Sequence, residues 1–411
     1  MNAFAELEIN LRRRGESDYT ADFRFCRPNS AAYTRIGVNG MVSIHLDLIQ
    51  LRALSLNLDS YGRTLTSFFF SDPQVKLVFL QARSVAETEN VPMHVRLAVD
   101  TSAIELHAVY WELLQDPDSG APLFTGENLL FSRYLSSPNM RPIRLRKKED
   151  LSALVFVANP DNLADYKNLA PINVEREFHY AMEGLGEIRT QLYNAGAATL
   201  EGLLDTLSTQ KPAILYLVCH GGMLRDEPYL LLENTNGRVK LTPGRELVNR
   251  LKELTDPPLL VVLASCESMG YDTAGDMRAS LGPSLAEAGI PVIVAMQGNI
   301  SMETVAEFMP IFFRELHKDG QVLRAMMIAR GRIRKHHDFW MPVLFSRLIS
   351  GSLVDEPEKP RRRLLNWRTA ALTLALLLTL GSGLLELFRV KPMEGDVNVA
   401  IAAFTQVDES G

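Results

Sequence analysis

Two runs of branched apolar residues, 214–218 and 259–264, stop abruptly at reactive side chains. The first ends in Cys219-His220-Gly221-Gly222 and the second in Ser265-Cys266-Glu267. An uninterrupted apolar run of this length reads as a strand buried on both faces, as in a parallel sheet covered by helices. Around them, residues 151–353 alternate in type. A strand over 151–158 ends at Asn159-Pro160-Asp161, and a helix over 173–183 has Gly184 just past it as a stop. Helices over 198–207 and 243–254 each precede one of the apolar runs, and a further strand spans 291–297. This rhythm predicts a mostly parallel sheet with right-handed crossovers, hence a three-layer α/β domain over 151–353. Residues 1–140 show mixed alternation, with strands over 74–80 and 94–99 and a helix over 102–114, and predict a mixed α/β N-terminal region. The joint at 137–148 is basic and contains prolines, and reads as a solvated linker rather than a lipid- or partner-binding patch. There is no Gly-rich phosphate loop and no repeat of solenoid period.

The far end of the chain has a different pattern. Lys359, Arg361, Arg362, Arg363 and Arg368, with Trp367 among them, lead into a stretch that is uncharged from 369 to 385. Extended to 388, it makes a helix of about 20 residues, roughly 30 Å, which matches a bilayer core. A buried core helix would instead show a polar face and lack the basic cluster. Only Arg389 and Lys391 follow closely, so the positive-inside bias puts the large N-terminal part in the cytoplasm. The expectation is a basic linker over 354–368, one transmembrane helix over 369–388 and an extracytoplasmic tail over 389–411. Residues 395–404 of that tail resemble the first strand of a further domain. A lone strand cannot bury its faces, so the chain is expected to continue or to be completed by another.

Composition narrows the class. At 411 residues and 46% hydrophobic content the chain can bury a large core. A net charge of −6 argues against a nucleic-acid binder, whose affinity rests on clustered Lys and Arg. Three cysteines, 26, 219 and 266, show no paired spacing and fit a reducing compartment. Residues 1–14 carry charges without a following apolar core, so no signal peptide is expected.

The two strand ends carry the candidate chemistry. In parallel sheets ligands bind beyond the carboxyl ends of the strands, so one strand delivers an imidazole and another a thiol to the same edge. A Cys266 thiolate as nucleophile, with His220 as general acid and base, suits acyl transfer from a peptide. On the residues alone, Cys219, His220 and Cys266 read equally well as ordinary core-edge residues, since free cysteine is among the most buried types. The backbone N–H groups of Gly221 and Cys266 are candidates for an oxyanion hole. Alternation turns Cys219 away from that edge, which leaves too few ligands for zinc, and the chemistry needs no metal and no cofactor. His336-His337-Asp338 follows the basic residues Arg330, Arg332, Arg334 and Lys335 and reads as a solvated turn. Glu267, Asp272 and Asp276 are candidates to line a pocket for a basic substrate residue, against a role in capping or solvating the loop. Gln297 and Asn299, at the end of another strand on the same edge, are further substrate-pocket candidates.

The ordered series Cys219-His220-Gly221, Ala264-Ser265-Cys266-Glu267-Ser268, Leu285-Ala286-Glu287-Ala288-Gly289 with the strand after it, and Phe339-Trp340-Met341-Pro342 resembles the CHAT family. That family comprises caspase-like cysteine peptidases related to caspases and separase. Trp111-Glu112-Leu113-Leu114 resembles the family segment that precedes the peptidase core, and the likeness spans about residues 90 to 352. It implies a caspase-like endopeptidase in bacterial signalling or defence, cutting few proteins under control. The expected partners are a protein substrate, an activating protein at residues 1–140, a second copy of the chain, and the membrane through the C-terminal helix. The loop 268–280, with Gly270 and Gly275, is the expected movable piece. Two rival classes share these residues: a catalytically silent membrane scaffold that recruits partners, and a small-molecule hydrolase or acyltransferase. A cysteine-selective probe separates the first, and peptide against ester substrates the second.

Overall fold

In a computed structural model, the alternation at the start of the chain becomes an antiparallel pair, β1 (Ala5–Arg13) and β2 (Asp18–Cys26), extended by the short strands β3 (Tyr33–Arg35) and β4 (Val42–His45) on β2. Helices α1 (Leu48–Ala53), α2 (Leu58–Phe69) and α3 (Pro73–Thr88) follow, then β5 (Met93–Val99) and β6 (Leu129–Tyr134). The structure describes residues 4–30, 32–36, 41–135, 142–166, 169–224, 227–264, 275–298 and 300–355, without the side chains of 223, 224, 275–280 and 302.

Two local expectations fail in this half. Residues 74–80 form part of α3, not a strand. The Asp72 side chain accepts from the Gln74 N–H, Pro73 occupies the first turn, and Val75, Val78, Phe79, Ala82 and Ala86 bury one stripe at helical spacing. Residues 102–114 form two short 3₁₀ turns, Thr101–Ala108 and Trp111–Leu113, not one helix. The carbonyls of His107 and Val109 accept from the Arg133 guanidinium, at 2.7 and 3.1 Å, and so turn away from a helical ladder.

The second half runs β7 (Ser152–Val157), α4 (Val174–Leu185), β8 (Arg189–Leu192), α5 (Leu200–Gln210) and β9 (Ile214–Val218). A small antiparallel sheet of β10 (His220–Leu224), β11 (Glu227–Glu233) and β12 (Val239–Pro243) interrupts the alternation. It resumes with α6 (Gly244–Glu253), β13 (Leu260–Ala264), α7 (Gly275–Glu287), β14 (Val292–Met296), α8 (Met302–Asp319), α9 (Val322–Arg332) and β15 (Pro342–Ser346). The helix expected to stop at Gly184 continues through it and ends at Gly186, whose φ of +56 breaks the helix. Gly184 serves packing instead: a Cβ there would lie 2.7 Å from that of Phe313, where α4 crosses α8. The expected loop 268–280 is also shorter than its sequence suggested, because α7 begins at Gly275.

The strands before residue 140 and those after 151 join one largely parallel sheet, ordered β3-β2-β1-β5-β6-β15-β14-β13-β9-β7-β8, with β4 on β2. The strands β1, β5, β6 and β15 run parallel to one another, as do β14, β13, β9, β7 and β8. The antiparallel pair β14–β15 joins these two halves. Alternation along β9 divides the core. Ile214, Tyr216 and Val218 pack with residues of α4, α8 and α9, whereas Leu215, Leu217 and Cys219 pack with residues of α5, α6 and α7. Helices thus cover both faces, and Met1–Asp355 forms one compact unit. Among the described residues no helix is long and apolar enough to cross a membrane. The expected span over 369–388, the tail over 389–411 and the linker beyond Asp355 lie outside the described residues.

Candidate active site

Strands β9 and β13 are neighbours, with Val218 opposite Ala264. Each strand end therefore continues, two residues on, into one of the two candidates: His220 after Val218 and Cys266 after Ala264. His220 and Gly221 are described, and they pair with Leu231 and Leu230 across the small sheet. Cys266, Glu267, Asp272 and Asn299 lie outside the described residues, and Asp276 falls in the first turn of α7. Cys219 packs among Leu215, Leu217 and Leu230, on the opposite face from Val218.

His220 is buried, and its Nε2 lies 2.7 Å from the Ala170 carbonyl oxygen. A carbonyl only accepts, so Nε2 carries the hydrogen of this bond and orients the ring. The segment bearing Ala170 is held on both sides. Leu169 packs against Leu163 and Leu231, the register partner of His220, while the Ile172 N–H donates to the Asn159 side chain at 2.8 Å. Asn159 in turn donates its own N–H to Glu233 at 2.9 Å, and Glu233 also accepts from the Ala198 N–H at 2.8 Å. Ala170, Asn159 and Glu233 carry no reactive signature and escaped the sequence reading. The Asn-Pro-Asp at the end of β7 marked a turn but not its partner.

Gln297 turns inward. Its side-chain oxygen accepts from Arg133 at 2.7 Å, its amide donates to the His107 carbonyl at 3.2 Å, and its backbone N–H donates to Met341 at 2.7 Å. It belongs to a buried polar cluster in which Arg133 also makes two hydrogen bonds to Glu112, at 3.2 and 2.5 Å. Trp340 lies against Tyr110 with ring centroids 4.0 Å apart. The Trp111-Glu112-Leu113-Leu114 and Phe339–Pro342 motifs therefore meet beneath the end of β14. Burial, and then the charge of Arg133, pushes the His107 imidazole down to about 4.

One further reading needs correction, around the basic helix before 336–338. Arg330 in that helix is fully buried, donates to the Pro342 carbonyl at 2.6 Å, and burial pushes it down to about 10. Asp338 is not part of a solvated turn. It is buried and accepts from the Ser301 N–H and the Thr304 hydroxyl, both at 2.6 Å, which ties down the start of α8. His336 pairs with Glu307 at 2.9 Å. Among the described residues no group of three or more His, Cys, Asp or Glu is placed to hold a metal ion. A Ser132–His94–Glu6 chain, with contacts of 2.9 and 3.1 Å, runs across β6, β5 and β1, but all three residues are buried.

The CHAT domain family model matches residues 59–376, well over half of the chain. The chain belongs to the CHAT domain family. That match begins in α2, ahead of the strand–helix alternation, in keeping with the shared sheet. No curated protein matches the chain. Among solved structures, this CHAT protein is similar to a chain of the Saccharomyces cerevisiae separase–securin complex, at 14% identity and a TM-score of 0.36. The alignment covers 66% of this chain but only 17% of that one, a likeness too slight to bear on mechanism.

Proposed function

We propose that this CHAT protein is a cysteine endopeptidase, anchored by the span at 369–388 and acting on proteins at the cytoplasmic side of the membrane. The observation that carries this reading is the placement of His220. It is buried, fixed by Ala170, and stands at the end of the strand whose register partner leads to Cys266. In the proposed reaction the Cys266 thiol gives its proton to His220 Nδ1, and the thiolate attacks the scissile carbonyl carbon. The N–H groups of Gly221 and Cys266 receive the oxyanion. The C–N bond breaks as His220 returns the proton to the leaving amine. Water, deprotonated by His220, then hydrolyses the thioester and releases the acid. Glu267, Asp272, Asp276 and Asn299 supply the pocket, with the three carboxylates selecting a basic residue beside the cut, and Gln297 holds the β14 end through its tie to Arg133. Activity rises when copies are brought together in the membrane or when a protein partner binds within residues 1–140. Incubation of the full chain with a peptide library, followed by mass-spectrometric mapping of cuts, tests this reading. Cuts after basic residues that vanish in Cys266→Ala support it, and an uncut library, even after forced dimerisation, overturns it.

A further inference from the structure

The basic joint at 137–148 reads from its sequence as a solvated linker. The structure instead sets Arg144 and Arg146 in the wall of a cavity of about 500 Å³. The cavity lies at the amino ends of β7, β13 and β14, beside Ser152, Leu259 and Pro291, at the opposite end of these strands from His220. Arg189, Lys211 and Lys252 complete its positive wall, and only Asp150 and Asp256 oppose them. In a chain of net charge −6, a cavity with five cations and two carboxylates is a local inversion of sign.

Few of these charges are neutralised within the protein. Lys211 pairs with Asp256 at 3.0 Å, and Arg146 donates to the Lys211 carbonyl at 2.6 Å. Among the described residues Arg144, Arg189 and Lys252 form no ion pair, and all three are exposed. The hydrogen bond from Lys211 holds the Asp256 carboxyl below its usual range, and Arg144 and Arg146 act in the same direction, so their guanidinium groups bear on the same space. The apolar part of the lining is aliphatic, with Leu145, Leu251 and Leu259, and no described lining residue is aromatic. A nucleobase would find no ring to stack on. Forked guanidinium groups suit phosphate oxygens, and a cavity of this size accommodates a small molecule.

We propose that this groove binds a multiply phosphorylated, non-aromatic anion, with Arg144, Arg189 and Lys252 as its principal contacts. The same chemistry is offered by a soluble polyphosphate or by the phosphorylated headgroup of a lipid. The site is independent of the Cys266 and His220 reading. The test is calorimetric titration of the full chain in neutral detergent. One arm uses tripolyphosphate, a second uses mixed micelles containing phosphatidylinositol bisphosphate, and a third uses a poly-glutamate peptide. We expect saturable binding that weakens with salt and falls about tenfold or more when Arg144, Arg189 and Lys252 are all changed to Gln. The single variant Arg189→Gln, on the edge strand β8, is expected to weaken binding with no change in the ligand-free melting temperature, and Arg189→Lys to restore part of it. Binding to tripolyphosphate supports a soluble ligand, and binding only in the lipid-containing micelles supports a headgroup. Absence of binding in both arms, equal binding by the Gln variants, or tighter binding of poly-glutamate than of either phosphate probe overturns the proposal.

Discussion

Replacing Glu112 by Ala is expected to be among the most destabilising single changes in this fold. The Glu112 and Arg133 side chains are 0% and 1% exposed, and they meet where β6 joins β15, with Phe345 opposite Arg133. Without Glu112 the guanidinium keeps its neutral acceptors, the carbonyls of His107 and Val109 and the Gln297 side chain. Its charge, however, would be buried without a counter-ion. Breaking a buried pair in this way costs about 3–5 kcal/mol. For a unit the size of Met1–Asp355, unfolding entropy scales with length, so the melting temperature should fall by about 4–7 °C. Two of the three tryptophans, Trp111 and Trp340, border the cluster, so tryptophan fluorescence during thermal melting reports directly on it. The double variant Glu112→Leu with Arg133→Met removes both charges and should recover most of the loss. A loss below about 1 kcal/mol in the single variant, or strict additivity in the double one, would mean that Arg133 does not depend on Glu112 as its counter-ion.

Three further outcomes follow from other parts of the structure. His107 has a folded-state value near 4 against an ordinary 6.5, so below pH 6.5 the unfolded chain takes up a proton that the folded one refuses. Stability is therefore full above pH 6.5 and falls by about 3 kcal/mol as the pH drops towards 4, and His107→Gln should flatten that window in urea titrations. Asn159→Ala frees the Ile172 N–H that fixes the Ala170 segment, and is expected to lower kcat about 100-fold with little change in KM. Restoration by Asn159→Asp, but not by Asn159→Leu, would separate a positioning role from simple loss of folding. Cys219→Ala, in the core face of β9, should cost about 1 kcal/mol in a thermal melt and leave peptide cleavage largely intact.

Hydrophobic runs made the centre of the fold legible. The strands at 214–218, 260–264 and 292–296 are buried on both faces, so their sequences read without ambiguity, and alternation placed Cys219 on the far side of β9 from Val218. The failures arose where side chains redirect the backbone. The 74–80 run alternates like a strand, but the Asp72-Pro73 start and the apolar stripe continuing to Ala86 make it helical. Residues 102–114 have helical periodicity, yet Arg133, from a strand beyond them, takes the carbonyls a helix would use. The same long-range effect hid the charges of Arg330 and Asp338, whose partners Pro342 and Ser301 are read only from the fold. At the candidate site His220 was legible because an imidazole at a strand end is a chemical signal. Ala170 was not, because a backbone carbonyl has no sequence signature.

The proposed cleavage of peptide bonds by Cys266 and His220 is tested by comparing wild-type, Cys266→Ala and His220→Ala chains, each checked by circular dichroism, against one peptide library with cuts mapped by mass spectrometry. Peptides cut after basic residues by the wild-type chain alone, with a thioester-linked fragment trapped on Cys266 at short times, are the predicted result. Cleavage that persists in Cys266→Ala, or a folded wild-type chain that cuts nothing and does not react with an electrophilic peptide probe at Cys266, would contradict it.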